Sequence, residues 1–250
     1  MESLIKENER LDDLQLKGLK LIQNPQWFCF GVDAVLLSHF AKSEIKKGAN
    51  VLDLCTGNGI IPVLLSAKTE AKKITGVEIQ EEVAEMAQRS IFLNSLTEKV
   101  EILCEDLKNA PETFGKCSFD YITCNPPYKE NNGGLKNTED TVTIARHEIK
   151  CNLEDIIRAS EALLKPAGKL ALIHRPERLI DIIYLMKSYR IEPKRLQFIH
   201  PSAEKTATMI LVEGTKHGKP KLKLLPPLYV HDENGEYTEE INKIYERGTE

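Results

Sequence analysis

The stretch Val51-Leu-Asp-Leu-Cys-Thr-Gly-Asn-Gly59 joins a short apolar run to a loop that contains two glycines. The apolar run predicts a buried strand, and the apolar density from Ile60 to Lys68 predicts a helix directly after the loop. Glycines let a backbone approach a ligand closely, and the free amides at a helix start favour negative charge. The stretch therefore predicts a nucleotide-type binding site in an α/β protein.

Three later strands are predicted to end in polar residues, at Glu78, Asp106 and Asn125. In an open α/β sheet, ligands bind outside the carboxyl ends of the strands. A carboxylate about 20 residues after the glycine loop can accept hydrogen bonds from both hydroxyls of a ribose, and Glu78 lies at that spacing. The repeated pattern predicts one ligand site at one edge of a sheet.

The glycine loop does not match a dinucleotide fingerprint, because its third glycine is missing. Asp53, inside the preceding strand, would also be unfavourable opposite a pyrophosphate. An acidic residue at this position suits a cationic amino-acid ligand instead.

The tetrapeptide Asn125-Pro126-Pro127-Tyr128 follows the apolar run Phe119–Cys124. Two consecutive prolines cannot continue a sheet, since each lacks an N–H group and fixes its own φ. The chain therefore presents an amide, a rigid turn and an aromatic ring at the carboxyl end of a strand. The sequence alone leaves two interpretations, an ordinary Asn-Pro turn or part of a ligand site.

The rest of the chain continues the alternation of strands and helices. Amphipathic patterns predict helices over 153–164 and around 179–186, and apolar runs predict strands over 169–174, 195–200 and 206–213. This order predicts a doubly wound α/β sheet.

The first 41 residues give weaker signals. Alternating apolar residues from Leu14 to Leu21 indicate a short strand or an irregular arm, and Asp33 is predicted to be the N-cap of a helix over 34–41. The aromatic cluster Trp27, Phe28 and Phe30 is either core packing or a lid over a cofactor pocket.

Composition is ordinary for a globular protein, with 41% hydrophobic and 29% charged residues and a net charge of −4. The polar amino terminus does not resemble a signal peptide, and no apolar run is long enough to span a membrane. The six cysteines contain no Cys-x-x-Cys pair. We therefore predict a cytoplasmic protein without disulfides or a metal site.

Basic residues are the candidates for contact with a phosphate-containing substrate. The run from Lys216 to Lys223 is either simply solvated or contacts phosphate, and Arg146-His147-Glu148, at the end of a polar segment over 129–149, is either a loop anchor, a phosphate contact or a catalytic histidine. Further candidates for phosphate contact are Arg175, Arg178, Lys194, Arg195 and Lys205.

The glycine-loop stretch resembles the S-adenosylmethionine (SAM) motif of Rossmann-like methyltransferases. The order of motifs along the chain is similar to that of bacterial tRNA(Val) adenine-N6 methyltransferases. Gly31-Val-Asp-Ala-Val-Leu-Leu37 precedes the glycine loop, and the tetrapeptide at 125–128 and Ala145-Arg-His-Glu148 come after it. The resemblance covers residues 30–213. Its usual consensus has Gly or Ala where this chain has Cys55 and Thr56.

The resemblance implies a Rossmann-like class I SAM-dependent methyltransferase fold, a seven-stranded, mostly parallel, doubly wound α/β sheet whose last strand is antiparallel. It divides the chain into an N-terminal extension over 1–32, a methyltransferase domain over 33–215 and a basic, polar C-terminal extension over 216–250.

The resemblance also assigns roles to individual residues. The cofactor is SAM, and the implied cofactor-binding residues are Asp53, Thr56, Gly57, Gly59, Glu78, Asp106 and Asn125. The implied catalytic residues are Asn125, Pro126, Pro127 and Tyr128.

The implied reaction is methylation of N6 on an unpaired adenine of tRNA, adenine 37 of a tRNA-Val, with no stable protein partner. The Asn125 carbonyl oxygen and the Pro126 carbonyl would accept the two amino hydrogens and free the nitrogen lone pair, and Tyr128 would stack on the base. The substrate contacts that we predict are Arg146, His147, Arg175, Lys205, Lys219, Lys221 and Lys223.

Three alternatives share these motifs. A protein-glutamine N5 methyltransferase must also free the delocalised lone pair of its target, an amide nitrogen. However, only 50 residues precede Val51, too few for the helical substrate domain of such an enzyme. An adenine-N6 methyltransferase acting on rRNA or DNA is the second; a DNA enzyme would normally add a target-recognition domain. The third is an inactive SAM-fold RNA-binding protein, which would not require Asn125 and Tyr128.

Overall fold

The computed structural model describes residues 4–27, 29–127 and 152–246. Within these ranges the strands are β1 Arg10–Asp13, β2 Lys20–Gln23, β3 Asn50–Leu54, β4 Lys73–Glu78, β5 Val100–Cys104, β6 Phe119–Cys124, β7 Leu164–His174, β8 Ile191–His200, β9 Met209–Lys216, β10 Lys223–Leu224 and β11 Leu228–Tyr229. The α-helices of the same ranges are α1 Val32–Lys42, α2 Ile60–Lys68, α3 Glu81–Leu93, α4 Ala110–Phe114, α5 Leu153–Leu163, α6 Leu179–Ser188 and α7 Glu239–Tyr245.

In the described part of the chain, nine strands form one sheet in the order β10-β8-β9-β7-β6-β3-β4-β5, with β11 also paired to β8. Strands β3 to β7 are parallel, whereas β9 is antiparallel to both of its neighbours. The predicted doubly wound sheet with an antiparallel last strand is confirmed. The sheet is wider than the predicted seven strands, because the two short strands β10 and β11 pair with the outer side of β8.

Helices cover both faces of the sheet. Side chains of consecutive strand residues point to opposite faces, so neighbouring apolar residues of one strand belong to two different cores. Val51 and Tyr121 lie in a core that also contains residues of α1, α2 and α3. Leu52 and Ile122, the next residues along the same strands, lie in a second core with residues of α5 and α6. The polar strand ends are therefore left at the edges of a sheet that is buried on both faces.

The N-terminal extension is a hairpin packed on α3. Strands β1 and β2 pair antiparallel. The strand suggested over Leu14 to Leu21 is wrong for most of its length, because residues 14–19 connect β1 to β2 and only Lys20 and Leu21 belong to a strand. The Ile22 amide donates to Ser90 Oγ at 3.0 Å, and Leu21 is fully buried in the first core. The extension therefore shares the core of the central domain.

The C-terminal extension also packs on the central domain. Strands β10 and β11 lie along β8, and Ile241 and Ile244 of α7 are buried in the same core as α1. Helix α1 begins at Val32 and β9 ends at Lys216, close to the limits predicted for the methyltransferase domain, and the division into domains stays a prediction. No helix of the described ranges has both the length and the apolar character needed to cross a bilayer.

A buried ion-pair network joins the antiparallel part of the sheet to β6. Glu213 is fully buried and accepts hydrogen bonds from Tyr121 Oη at 2.6 Å and from Arg195 Nη2 at 2.7 Å. Burial is the main cause that raises the pKa of Tyr121, followed by the charge of Glu213. The Arg195 guanidinium also lies 4.1 Å from the centre of the Phe40 ring. The suggestion that Arg195 contacts phosphate is therefore wrong, because its charge is used inside the fold.

Candidate active site

The carboxyl ends of four parallel strands meet at one edge of the sheet. The pairing places Leu54 of β3 between Val77 of β4 and Cys124 of β6, and it places Cys104 of β5 beside Glu78. Residues that directly follow these positions are therefore neighbours. The structure brings together the glycine loop over 56–59 and the predicted residues Glu78, Asp106 and Asn125.

The glycine loop passes from β3 into α2 through left-handed backbone at two glycines. Gly57 has φ +56° and Gly59, which precedes the first residue of α2, has φ +81°. A Cβ atom at Gly59 would lie 3.2 Å from the Cβ of Ala87 in α3, whereas one at Gly57 would meet no atom of the described residues within 4 Å. The loop therefore packs tightly against α3 at Gly59 and is open at Gly57.

Gly76 in the middle of β4 also shapes the loop, a role that its sequence position did not indicate. A Cβ atom there would lie 2.9 Å from the Thr56 side chain and 2.7 Å from Ile102 Cδ1. Those distances are below any ordinary carbon contact, so a larger residue at Gly76 would displace the loop.

Glu78 is held against the loop by backbone amides. Its carboxylate accepts from the Gly57 amide at 3.0 Å and from the Gln80 amide at 3.0 Å, and the residue is 6% exposed. The Gln80 side chain also donates, from Nε2 to Glu78 Oε1 at 3.3 Å. An ionised carboxylate has about four acceptor sites, so these three donors leave capacity at Oε2, where, of the described residues, only the Gly57 amide binds. The carboxylate is fixed in direction and can still accept a hydroxyl group.

Asp53 lies beneath the loop rather than in the open site. It has no exposed surface, and its two oxygens accept from Thr56 Oγ1 and Thr123 Oγ1, each at 2.6 Å. Burial raises the pKa of Asp53 to about 7; the two hydroxyl hydrogen bonds act in the opposite direction, and the charge of Glu78 adds to the increase. Asp53 thus ties the loop to β6, and the structure does not bring its carboxylate to the surface where a ligand would lie.

Asp106 lies two residues after β5 and is half-buried. Its Oδ1 accepts from the Lys108 amide at 3.0 Å, and its Oδ2 lies 3.3 Å from Lys108 Nζ. The side chain is therefore at the predicted edge, next to the end of β4, but its oxygens are engaged locally.

Asn125 contacts a residue from the first helix. Its Nδ2 donates to Asp33 Oδ2 at 2.9 Å, while its Oδ1 is buried and has no hydrogen-bond partner among the described residues. Pro126 next to it is buried and Pro127 is exposed; Tyr128 lies outside the described residues. A buried carbonyl oxygen without a donor is uncommon in folded proteins, and it marks a place where a ligand's N–H or O–H group can bind.

The prediction that Asp33 is an N-cap is wrong. The N-cap residue of α1 is Gly31, and no side chain caps it. Asp33 is inside the first turn and only 6% exposed, with Oδ1 accepting from the Ala34 amide at 2.9 Å. An acid before an apolar run usually caps a helix, so the contact with Asn125 could not be inferred from the residue pattern.

The N-terminal hairpin reaches the glycine loop through Gln23, which sequence reasoning missed. Gln23 is 1% exposed, and its Oε1 accepts from Asn58 Nδ2 at 3.0 Å and from the Phe30 amide at 3.0 Å. Phe30 packs partly buried on the first core, which agrees with the core-packing interpretation, and Trp27 is half-buried. Phe28 lies outside the described residues.

The predicted basic contacts fall at opposite edges of the sheet. Arg175 directly follows β7, and Lys205 lies in the turn between β8 and β9, both at the edge of the glycine loop. Lys216 pairs with Ile191 at the amino end of β8, so the run that begins there starts at the other edge. With ten residues in β8, the two edges are about 30 Å apart.

Only some lysines of the basic run over 216–223 are exposed and could contact a phosphate. Lys216 is 5% exposed, and its Nζ donates to carbonyl oxygens near the end of α5, that of Leu164 at 3.0 Å. Lys219, Lys221 and Lys223 are exposed, but the structure does not bring Lys219 and Lys221 to the site. Arg146 and His147 lie outside the described residues.

Comparison with known proteins identifies the family. Residues 30–187 match the model of the methyltransferase small domain. A curated relative from Porphyromonas gingivalis, a tRNA1(Val) (adenine(37)-N6)-methyltransferase, is 29% identical over 86% of this chain and 86% of its own. Further relatives with 25–28% identity over a similar share have the same description.

Solved structures agree on the fold. A predicted O-methyltransferase from Agrobacterium tumefaciens has a TM-score of 0.69 and 25% identity, covering 86% of this chain and 95% of its own. Pyrococcus horikoshii TYW2 in complex with MeSAdo has a TM-score of 0.59 and 14% identity, covering 85% of this chain and 73% of its own. Since the family model matches more than half of its residues, this protein belongs to the methyltransferase small domain family.

Proposed function

We propose that the protein transfers a methyl group from SAM to the exocyclic N6 of an unpaired adenine in tRNA, adenine 37 of a tRNA-Val. The observation that carries the proposal is the Asn125 carbonyl oxygen, which is buried and receives no hydrogen bond from the described residues, at the edge shared with the glycine loop and Glu78. The descriptions of the curated relatives support the choice of tRNA over protein or DNA.

The residues at the sheet edge fit SAM. When bound, SAM supplies an electrophilic methyl group on a positively charged sulfur. Glu78 would accept the ribose hydroxyls, the loop backbone at Gly57 and Gly59 would border the cofactor, and Asp106 would bind the adenine amino group. Asp53 and Thr56 would act indirectly, because their mutual hydrogen bond sets the shape of the loop.

Asn125 and Pro126 would prepare the target nitrogen. The lone pair of an adenine amino group is delocalised into the ring, which makes the nitrogen a poor nucleophile. If Asn125 Oδ1 and the Pro126 carbonyl accept the two hydrogens, the nitrogen is drawn toward sp³ geometry and its lone pair becomes available. Tyr128 would stack on the base, a contact worth about 1–3 kcal/mol.

The target adenine must be unpaired or flipped, because an adenine inside a helix cannot place its amino group against a recessed turn. No strong general base is required, since the methylated ammonium loses its proton readily. Arg175 and Lys205 would contact phosphates beside the target, since both lie at the same edge of the sheet.

The test is methyl transfer from labelled SAM into total tRNA from a strain that lacks this gene. The RNA is digested to nucleosides, which are identified by mass spectrometry, and an Asn125→Ala protein serves as the inactive control. We expect N6-methyladenosine in a valine tRNA. Label in a protein fraction and none in RNA would instead support the glutamine methyltransferase.

A further inference from the structure

We propose that Asp33 is a positioning residue that sets the direction of the Asn125 amide, so that its carbonyl oxygen faces the substrate. The proposal rests on the proposed function, because it assigns a task to Asn125 in that reaction. It concerns a contact between the first helix and the fourth parallel strand of the sheet, 92 residues apart in sequence.

The contact is part of a well-defined local arrangement. Asp33 is 6% exposed, and its two oxygens have separate donors, the Ala34 amide and Asn125 Nδ2, each at 2.9 Å. A Cβ atom at Gly31 would lie 3.0 Å from Asp33 Oδ1, so the preceding glycine leaves space for the carboxylate. The backbone of α1 therefore holds the Asp33 carboxylate in one position.

The direction of the Asn125 amide follows from the chemistry of its partner. An amide has an oxygen that accepts and a nitrogen that donates, and the two ends have nearly the same shape. An ionised carboxylate can only accept, so it selects the orientation with Nδ2 toward Asp33. Asn125 Oδ1 then points the other way, where the described residues offer it no donor.

The charge of Asp33 adds a second effect. Hydrogen bonds in a chain polarise one another, so a carboxylate that accepts from the amide nitrogen makes the amide oxygen a stronger acceptor. A stronger acceptor draws the amino hydrogen of the substrate more effectively. Asp33 would thus act on the reaction without touching the substrate, the cofactor or the reacting atoms.

The test measures single-turnover methyl transfer to tRNA by Asp33→Ala, with SAM affinity measured by calorimetry. Without its acceptor, the Asn125 amide can present either end, so we expect the rate to fall about 10- to 100-fold, as misplaced catalytic groups do. SAM affinity should be unchanged. The control is Glu240→Gln, which removes an exposed first-turn acid from α7 and should keep the wild-type rate.

Asp33→Asn provides a graded comparison that preserves the volume of the side chain. Its single carbonyl oxygen must serve two donors, so we expect a rate between those of the wild type and Asp33→Ala. A rate for Asp33→Ala equal to that of the wild type would overturn the proposal.

A double variant separates positioning from a merely structural role. If Asp33 acts only through Asn125, adding Asp33→Ala to Asn125→Ala should produce no further loss. An equal additional loss in that background would overturn the proposal, because Asp33 would then act independently. Wild-type protein that methylates no RNA would instead overturn the proposed function itself.

A measurement on the wild-type protein covers the case in which Asp33 variants do not fold. The side-chain amide resonances of Asn125 are assigned by their loss in Asn125→Ala. We expect at least one of the two protons to exchange slowly with solvent, since it is hydrogen-bonded to a buried carboxylate. Fast exchange of both protons would overturn the proposal.

Discussion

The carboxylate of Glu78, the last residue of β4, accepts a 3.0 Å hydrogen bond from the backbone amide of Gly57 in the glycine loop. The loop and the neighbouring strand end are therefore connected before any ligand binds. The second oxygen of Glu78 accepts from the Gln80 amide, directly before α3. If Glu78 accepts the ribose hydroxyls, as we propose, little rearrangement is needed when the cofactor binds, because this acceptor already has a fixed direction.

Removing Glu78 should weaken cofactor binding. We expect Glu78→Ala to raise the SAM dissociation constant about 10- to 100-fold, because hydrogen bonds to a charged group contribute roughly 1.5–3 kcal/mol. Isothermal titration calorimetry measures the effect. Glu101→Ala, which removes an exposed acid from the neighbouring strand β5, is the matched control and should bind SAM normally. An unchanged SAM affinity of Glu78→Ala would show that Glu78 does not bind the ribose.

Asn125→Ala should separate chemistry from binding. The substitution removes the buried carbonyl oxygen that we propose accepts an amino hydrogen of the adenine, and losing one such preorganised group costs about 100- to 1,000-fold in rate. SAM affinity should stay near that of the wild type. Single-turnover methyl transfer and calorimetry on the same preparation give both values. Wild-type turnover by the variant would remove this residue from the mechanism.

The meeting of the glycine loop, Glu78 and Asn125 at one edge of the sheet was predictable because its signals are local. A strand, a glycine loop and a helix follow one another within the nineteen residues from Asn50 to Lys68, and polar residues at the carboxyl ends of parallel strands must share an edge of the sheet. The residue types at Gly57, Glu78 and Asn125 therefore indicated their positions without any knowledge of the three-dimensional packing.

The supporting contacts were not predictable, since they depend on packing between distant segments. Asp33 has the sequence environment of a helix cap, and only the docking of α1 on the sheet brings it to Asn125. Gln23 reaches Asn58 because the hairpin packs on α3. Lys216 belongs to a basic run, but the register of β9 against β8 buries it under the end of α5.

The position of the basic residues leads to a paired prediction for RNA binding. We expect Arg175→Gln with Lys205→Gln to weaken tRNA binding and to lower the slope of log affinity against log salt by about 1 per cation removed. Lys219→Gln with Lys221→Gln makes the same change in charge at the other edge, so its effect should be smaller. Filter binding at several salt concentrations measures both slopes.

The two pairs also decide the role of the basic run. A larger loss with the Lys219 and Lys221 pair would contradict the paired prediction and would place the RNA along the run. Melting curves of each protein are required, because Arg175 also donates to the Thr208 carbonyl at 3.4 Å and its loss could affect the turn before β9.

Asp53 should make stability depend on pH. Burial raises its pKa in the folded protein to about 7, above the ordinary value of 3.8. Between these two values the folded protein binds more protons than the unfolded chain, so the contribution of Asp53 to the free energy of unfolding falls as pH rises from about 4 to about 7. Above that window the contribution is constant.

Asp53→Asn removes this titration while keeping the shape of the side chain. We expect the stability of the variant relative to that of the wild type to rise between about pH 4 and about pH 7, by up to about 4 kcal/mol in total. Chemical denaturation of both proteins at several pH values measures the difference. The contributions of other buried groups are the same in both proteins and drop out of this difference in unfolding free energy. They include His39 and His174, whose pKa values are lowered to about 4 mainly by burial. A difference that does not change with pH would show that Asp53 keeps its ordinary pKa and is charged when the loop forms.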